Sequence, residues 1–302
     1  MKFRIAALAL LLWTAPAFAA SLQDAQAALD RGDTATALAE ARPLAEAGDP
    51  RAMTMLGQMY RRGQGVDANV EQAMDWLGRA AEANQAQAQL ELGLIYIDPS
   101  AGKLDYAMGE GWIRRAADSG LAEAQFTMGL LASGAFGNPP EMNVAADWFG
   151  KASAQGHAGA TYNLGVLYLE GQGVEKNSIK AAELIGKAAQ AGNVDAMLDY
   201  GVLVYRGEGV QQDEKVGAQW LLVSAKRGNT IAQNRIARIL AFGKGLAQDP
   251  IEAMKWNILA TRSGRGDAEL DSLFSKLSDA QKAEARARAD AFRPIPAAKT
   301  VN

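Results

Sequence analysis

The chain has 302 residues, 49% of them hydrophobic, a formal net charge of −3, a single histidine and no cysteine. The lack of cysteine excludes disulfide staples and thiol chemistry, and one histidine cannot build a histidine-based metal cluster. Without disulfides, stability must come from apolar burial alone, and an acidic chain without a basic run does not suit nucleic acid; the first functions to set aside are metal, thiol and nucleic-acid chemistry.

Taken from the start, residues 1–19 read as a signal peptide. Lys2 and Arg4 precede an apolar run from Ile5 to Trp13, and Pro16 leads into the small-residue cleavage site Ala17-Phe18-Ala19. The run is short of the ~20 residues that a spanning helix needs. Cleavage after Ala19 removes Lys2 and Arg4 and takes the formal charge from −3 to −5. The mature chain is expected to carry no membrane span and to be periplasmic or secreted. Residues 20–51 predict a capping hairpin, in which Gly32-Asp33 combines a helix stop with the N-cap of the next helix.

From residue 52 to 266 the chain repeats itself. Gly57, Gly93, Gly129, Gly165 and Gly201 follow one another at 36-residue steps and give way to Ala237. Trp76, Trp112, Trp148, Trp220 and Trp256 keep the same period, with Leu184 in the gap. Ala52, Ala88, Ala124, Ala160, Ala196 and Ala232 open the six repeats without an insertion. A fixed period in this range is the signature of a solenoid whose stacked neighbours bury what one repeat cannot. Within each repeat the spacing predicts a helical hairpin. The internal glycine costs roughly 1 kcal/mol against alanine, so its recurrence implies that the paired helix passes too close for a side chain. Gly63-Gln64-Gly65-Val66, repeated as Gly171-Gln172-Gly173-Val174, Gly207-Glu208-Gly209-Val210 and Gly243-Lys244-Gly245-Leu246, reads as the inter-helix turn. The unbroken phase predicts one elongated body, and Trp148 is expected to fill the space left by Ala124, Gly129 and Ala160.

The pattern A-x3-LG-x2-Y-x2-G-x-G-V followed by A-x2-W-x3-AA-x2-G resembles the SEL-one-like repeat (SLR) family, a relative of the tetratricopeptide repeat, over Ala52 to Gly266. The resemblance implies an all-α fold: an α/α solenoid, a right-handed superhelix of about six hairpins. It also implies a role as adaptor or scaffold, and no catalytic residues. Ile97-Asp98-Pro99-Ser100-Ala101-Gly102 and Ser133-Gly134-Ala135-Phe136-Gly137-Asn138-Pro139-Pro140 lack the Gly-x-Gly turn, so the loops of the second and third hairpins should differ in shape. Residues 267–293, with Leu270, Leu273, Phe274 and Leu277 before an alanine-rich helix starting at Ser278-Asp279, predict C-terminal capping helices, and 294–302 a flexible tail.

No nucleophile stands beside a base in this sequence, so no catalytic, cofactor-binding or metal residue is assigned and no cofactor is expected. His157 follows Gly156 and reads as part of an inter-hairpin turn. The surface that carries information is the inner face of the first helices, at positions three before each repeat glycine and one, four and five after it, in the register of tetratricopeptide grooves. The first repeat places Thr54, Gln58, Arg61 and Arg62 there, and the second Leu90, Leu94 and Ile97. The third supplies Phe126 and Leu130, the fourth Tyr162, Val166 and Leu169, and the fifth Leu198, Val202 and Tyr205. Asn234, Arg238 and Phe242 complete the sixth. An apolar trough with arginines at its ends predicts a protein or peptide partner for a monomeric, non-enzymatic exported scaffold. The resemblance adds envelope signalling and exopolysaccharide production as settings. The alternatives are a cell-wall or β-lactam-related hydrolase or binding protein, and a self-associating structural protein.

Overall fold

The computed structural model describes residues 21–296, and every regular element among them is helical: sixteen α-helices and one short 3₁₀ turn. The expected signal peptide at 1–19 and the tail beyond 296 lie outside the described residues. The helices run in pairs: α1 (Leu22–Asp30) with α2 (Thr34–Glu46), α3 (Pro50–Arg62) with α4 (Val70–Glu82), and α5 (Ala86–Ile97) followed by α6 (Tyr106–Asp118). They continue as α7 (Ala122–Ala132) with α8 (Met142–Ala154), α9 (Ala158–Glu170) with α10 (Ser178–Gln190), and α11 (Val194–Arg206) with α12 (Glu214–Lys226). The last are α13 (Thr230–Phe242) with α14 (Pro250–Arg262), then α15 (Ala268–Phe274) and α16 (Asp279–Ala291).

These helices group into two compact units whose boundary falls at Ala116–Ala117, inside α6. Each hairpin of a solenoid packs only on its neighbours, so repeat phase does not require one core along the whole array.

The helix starts follow from the caps. Asp49, Asn193 and Asn229 share one column of the repeat, and each side chain accepts a backbone N–H in the first turn of α3, α11 and α13. Asn69, Asn177, Asp213 and Asp249 do the same for α4, α10, α12 and α14. Capping of this kind is worth about 1 kcal/mol per helix. Gly63, Gly171, Gly207 and Gly243 end their helices in the left-handed region, with φ between 66° and 75°.

What closes each hairpin is the contact beneath the repeat glycine. A methyl group built on Gly93 would lie 2.5 Å from Cγ1 of Ile113 and 2.7 Å from the carbonyl oxygen of Gly109. Gly57 meets Leu77 in the same way, Gly129 meets Phe149, Gly165 meets Ile185 and Gly201 meets Leu221. The filling column is therefore Leu77, Ile113, Phe149, Ile185 and Leu221, all buried. One step of helix away, the tryptophans take a different place. Trp148 is buried but Phe149 is the ring under Gly129, because adjacent residues of a helix point about 100° apart. This corrects the expectation that Trp148 fills that space. Trp76, Trp112 and Trp148 each carry a cation from three residues on (Arg79, Arg115 and Lys151, at 4.4, 4.5 and 3.8 Å from the ring centroid). Trp256 is fully buried because Phe292, just past α16, packs edge-on against it at 5.3 Å.

The second glycine of the Gly-x-Gly turn serves stacking rather than turning alone. A methyl group on Gly65 would come within 2.6 Å of the carbonyl oxygen of Thr34, and one on Gly245 within 2.5 Å of that of Glu214. Thr34 and Glu214 open the second helix of the preceding hairpin, so backbone meets backbone where the hairpins stack. The second hairpin lacks this contact: Asp98 caps a 3₁₀ turn at Pro99–Ala101, and Gly102 has open space around it. The loop there differs in shape, as its sequence predicts.

A paired substitution tests the hairpin contact. Gly93→Ala should lower stability by about 1–3 kcal/mol, because the methyl overlaps a backbone carbonyl that cannot turn away. Gly111→Ala, in the exposed face of α6 with nothing within 4 Å, should raise it by roughly 0.5–1 kcal/mol. Chemical denaturation of the two variants reads both signs.

Candidate functional site

Each compact unit presents its own stretch of first-helix surface. In the first, the centre is a buried carboxylate. Glu91 on α5 accepts from Gln58 Nε2 at 2.9 Å and from Arg61 Nη1 at 2.7 Å, so α3 and α5 are joined across their shared face. Its side chain is 9% exposed and that of Arg61 is 29% exposed. Charge-assisted bonds at these lengths offset the desolvation of the carboxylate. Arg61 is thus engaged within the chain, whereas Arg62 is exposed. Leu90, Thr54 and Ile97 are buried, and of the three groove candidates in the second repeat only Leu94 is partly open to solvent.

In the second unit Phe126 stacks on His157 at 4.4 Å between centroids, and lies 5.9 Å from Phe149. His157 occupies the cap column of the repeat. Its Nδ1 accepts from the Ala160 N–H at 3.0 Å, which leaves Nε2 to donate to Glu123 at 2.9 Å. That hydrogen bond holds the Glu123 carboxyl below its usual range. The histidine is therefore a cap and an inter-hairpin strut. Leu130, Val166 and Leu169 are half-buried along the same face, while Leu198 is 6% exposed and belongs to the core.

Tyr162 donates to Asp199 Oδ2 at 2.8 Å, linking α9 to α11. Burial first, then the Asp199 charge, raises the phenol above its usual range. Burial also raises the Asp199 carboxyl, with Asp195 and Glu170 adding to it and the Tyr162 hydroxyl and Arg235 opposing. At the far end Arg238 binds Asp267 at 2.5 Å and Glu269 at 2.7 Å, and Asn234 donates to the Arg265 carbonyl at 3.3 Å. Asp267 in turn caps α15. These two groove residues therefore also fasten the C-terminal segment. Val202, Tyr205, Arg238 and Phe242 do converge, in an open-sided pocket of about 420 Å³ shared with Arg206, Arg235, Ile239 and Lys244.

Glu91, Asp199 and Arg235 were not among the sequence candidates. All three stand two residues before the repeat glycine or its alanine substitute, 36 residues or a multiple apart. A charged residue inside a run such as Leu90-Glu91-Leu92 is the signal that could have found them. Lys244 sits within a Gly-x-Gly turn and has no such signal.

Compared with protein families, the chain matches the Sel1 repeat six times, at residues 50–85, 86–121, 122–157, 158–193, 194–229 and 230–264. Among solved structures it resembles c5321, described as a protective antigen present in uropathogenic Escherichia coli strains displaying an SLR fold. That similarity has a TM-score of 0.74 and 30% identity over 88% of this chain, which spans 61% of the E. coli protein. It also resembles a Sel1 repeat protein from Oxalobacter formigenes, with a TM-score of 0.70 and 26% identity over 79% of this chain and 96% of that one. None of the curated proteins compared matches the chain.

The Asp199 carboxyl gives a signed prediction. Its folded-state value lies above the unfolded one, so the unfolded chain releases the proton first and the fold loses stability as pH rises from about 4. Asp199→Asn keeps an acceptor for Tyr162 and removes the charge. The variant should unfold at a higher Tm than the parent at about pH 7, and the two Tm values should converge below about pH 3. A gap that stays constant across that range would show the carboxyl is not the cause.

Proposed function

The chain belongs to the Sel1 repeat family, and from that premise we propose that it is an exported, non-enzymatic scaffold that receives a peptide or a loop of another protein on the face of its first helices. Sel1-repeat proteins generally act as protein-interaction scaffolds. The observation that carries the reading is the row of half-buried apolar side chains on that face of the second unit, Leu130, Val166, Leu169 and Val202, ending in Phe242 at 43% exposure. A row of this kind offers apolar area to an extended or helical segment without enclosing a small molecule. Export is supported by the charged, apolar and small-residue segments of residues 1–19. No helix among the described residues is long and apolar enough to cross a membrane. The setting is then the bacterial cell envelope, with envelope signalling or exopolysaccharide production as the processes served, and the working state is a monomer.

In-cell crosslinking of the tagged full-length chain tests the surface. Leu130→Ser, Val166→Ser and Val202→Ser combined should remove the crosslinked partners while helicity by circular dichroism is retained. The same partner set in the triple variant would place the interaction on another face.

A further inference from the structure

The pocket at the α11–α13 end of the second unit has a charge unlike the rest of the chain. Its wall carries Arg206, Arg235, Arg238 and Lys244 against the single carboxylate of Glu269, in a protein whose formal net charge is −3. Arg238 is neutralised by Asp267 and Glu269. Among the described residues, no ion pair within 4.0 Å holds Arg206, Arg235 or Lys244, although Arg235 lies near enough to the Asp199 carboxyl to influence it. Arg206 and Lys244 are both exposed. Beside these cations stand Val202, Ile239 and the exposed ring of Phe242, so apolar and cationic surface meet within one pocket.

We propose that this pocket takes an acidic peptide segment: an aliphatic or aromatic side chain seats on Val202, Ile239 and Phe242, and flanking carboxylates face Arg206, Arg235 and Lys244. The inference rests on the scaffold reading above and names the chemistry of its partner. Arg206, Arg235 and Lys244 line one pocket without an ion pair among the described residues, and an incoming carboxylate supplies the partner they lack. The guanidinium groups suit carboxylates because each can donate two parallel N–H bonds. The apolar wall supplies what charge alone does not, a reason to prefer a peptide with an apolar residue between its acidic ones. About 420 Å³, open on one side, admits one side chain and leaves the backbone to run along the helices.

Fluorescence polarisation with labelled peptides of about twelve residues on the full chain tests this. A peptide alternating aspartate and leucine should bind roughly tenfold or more tightly than one alternating lysine and leucine, or aspartate and serine. Raising salt from about 0.05 to about 0.5 M should weaken it. Arg206→Glu with Lys244→Glu should weaken the aspartate–leucine peptide by roughly tenfold or more, whereas Lys215→Glu with Lys226→Glu, the same change in net charge on α12, should leave it within about twofold. Should the reversed pair lose helicity, Arg206→Gln with Lys244→Gln and Phe242→Ala provide milder variants, each expected to weaken binding about threefold. Equal binding of acidic and basic peptides, an equal effect of the α12 pair, or tighter binding of an oligothymidylate of matched length would overturn the proposal. If the peptides fail while the crosslinks still depend on Leu130, Val166 and Val202, the charge assignment falls and the scaffold reading stands. If both fail, the face itself is wrong.

Discussion

The structure depends on the approach of two helices at one glycine per hairpin. With Ile113 Cγ1 and the Gly109 carbonyl filling the space above Gly93, no side chain fits there, and the first and second helices pack backbone to side chain. The column opposite answers it. Leu77, Ile113, Phe149, Ile185 and Leu221 vary in shape while all are buried, so the cavity over the glycine tolerates different fillings provided it is filled. The sixth hairpin bears the exception: Ala237 replaces the glycine and Asn257 the large apolar residue. There the amide of Asn257 reaches forward to Asp271 of α15 at 2.7 Å. The site that closes a hairpin elsewhere has become a contact to the C-terminal helices.

Stacking of one hairpin on the next uses different means. Where Gly-x-Gly is present, its second glycine admits the start of the preceding second helix, as Gly65 does for Thr34 and Gly245 for Glu214. Polar side chains on the first helices add a second tie. Glu91 gathers Gln58 and Arg61, Tyr162 reaches Asp199, and Arg238 reaches Asp267. These bonds cross the face proposed for a partner, so that face is partly committed to holding its own hairpins in order. What remains for a partner is the apolar row between the polar ties and the pocket where cations outnumber carboxylates. Affinity there would come from a few seated side chains rather than from the whole face.

The period and the loop glycines determined the helical hairpin and the family, because a 36-residue phase and a buried glycine column leave few other ways to bury the apolar face. The turn stops at Gly63, Gly171, Gly207 and Gly243, the cap at Asp33 and the altered loop after Ile97 were all legible for the same local reasons. Only the tertiary structure decided which residue fills each hairpin, since Trp148 and Phe149 differ by one step of helix and both are large and apolar. It also decided that Arg61 and Arg238 meet carboxylates of their own chain, that Leu90 and Leu198 are core, and that Lys244 joins Arg206 and Arg235 in one pocket. Sequence spacing places a residue on a face of its own helix; its partners come from helices some 30 residues away, and their distance is set by packing that no single repeat encodes.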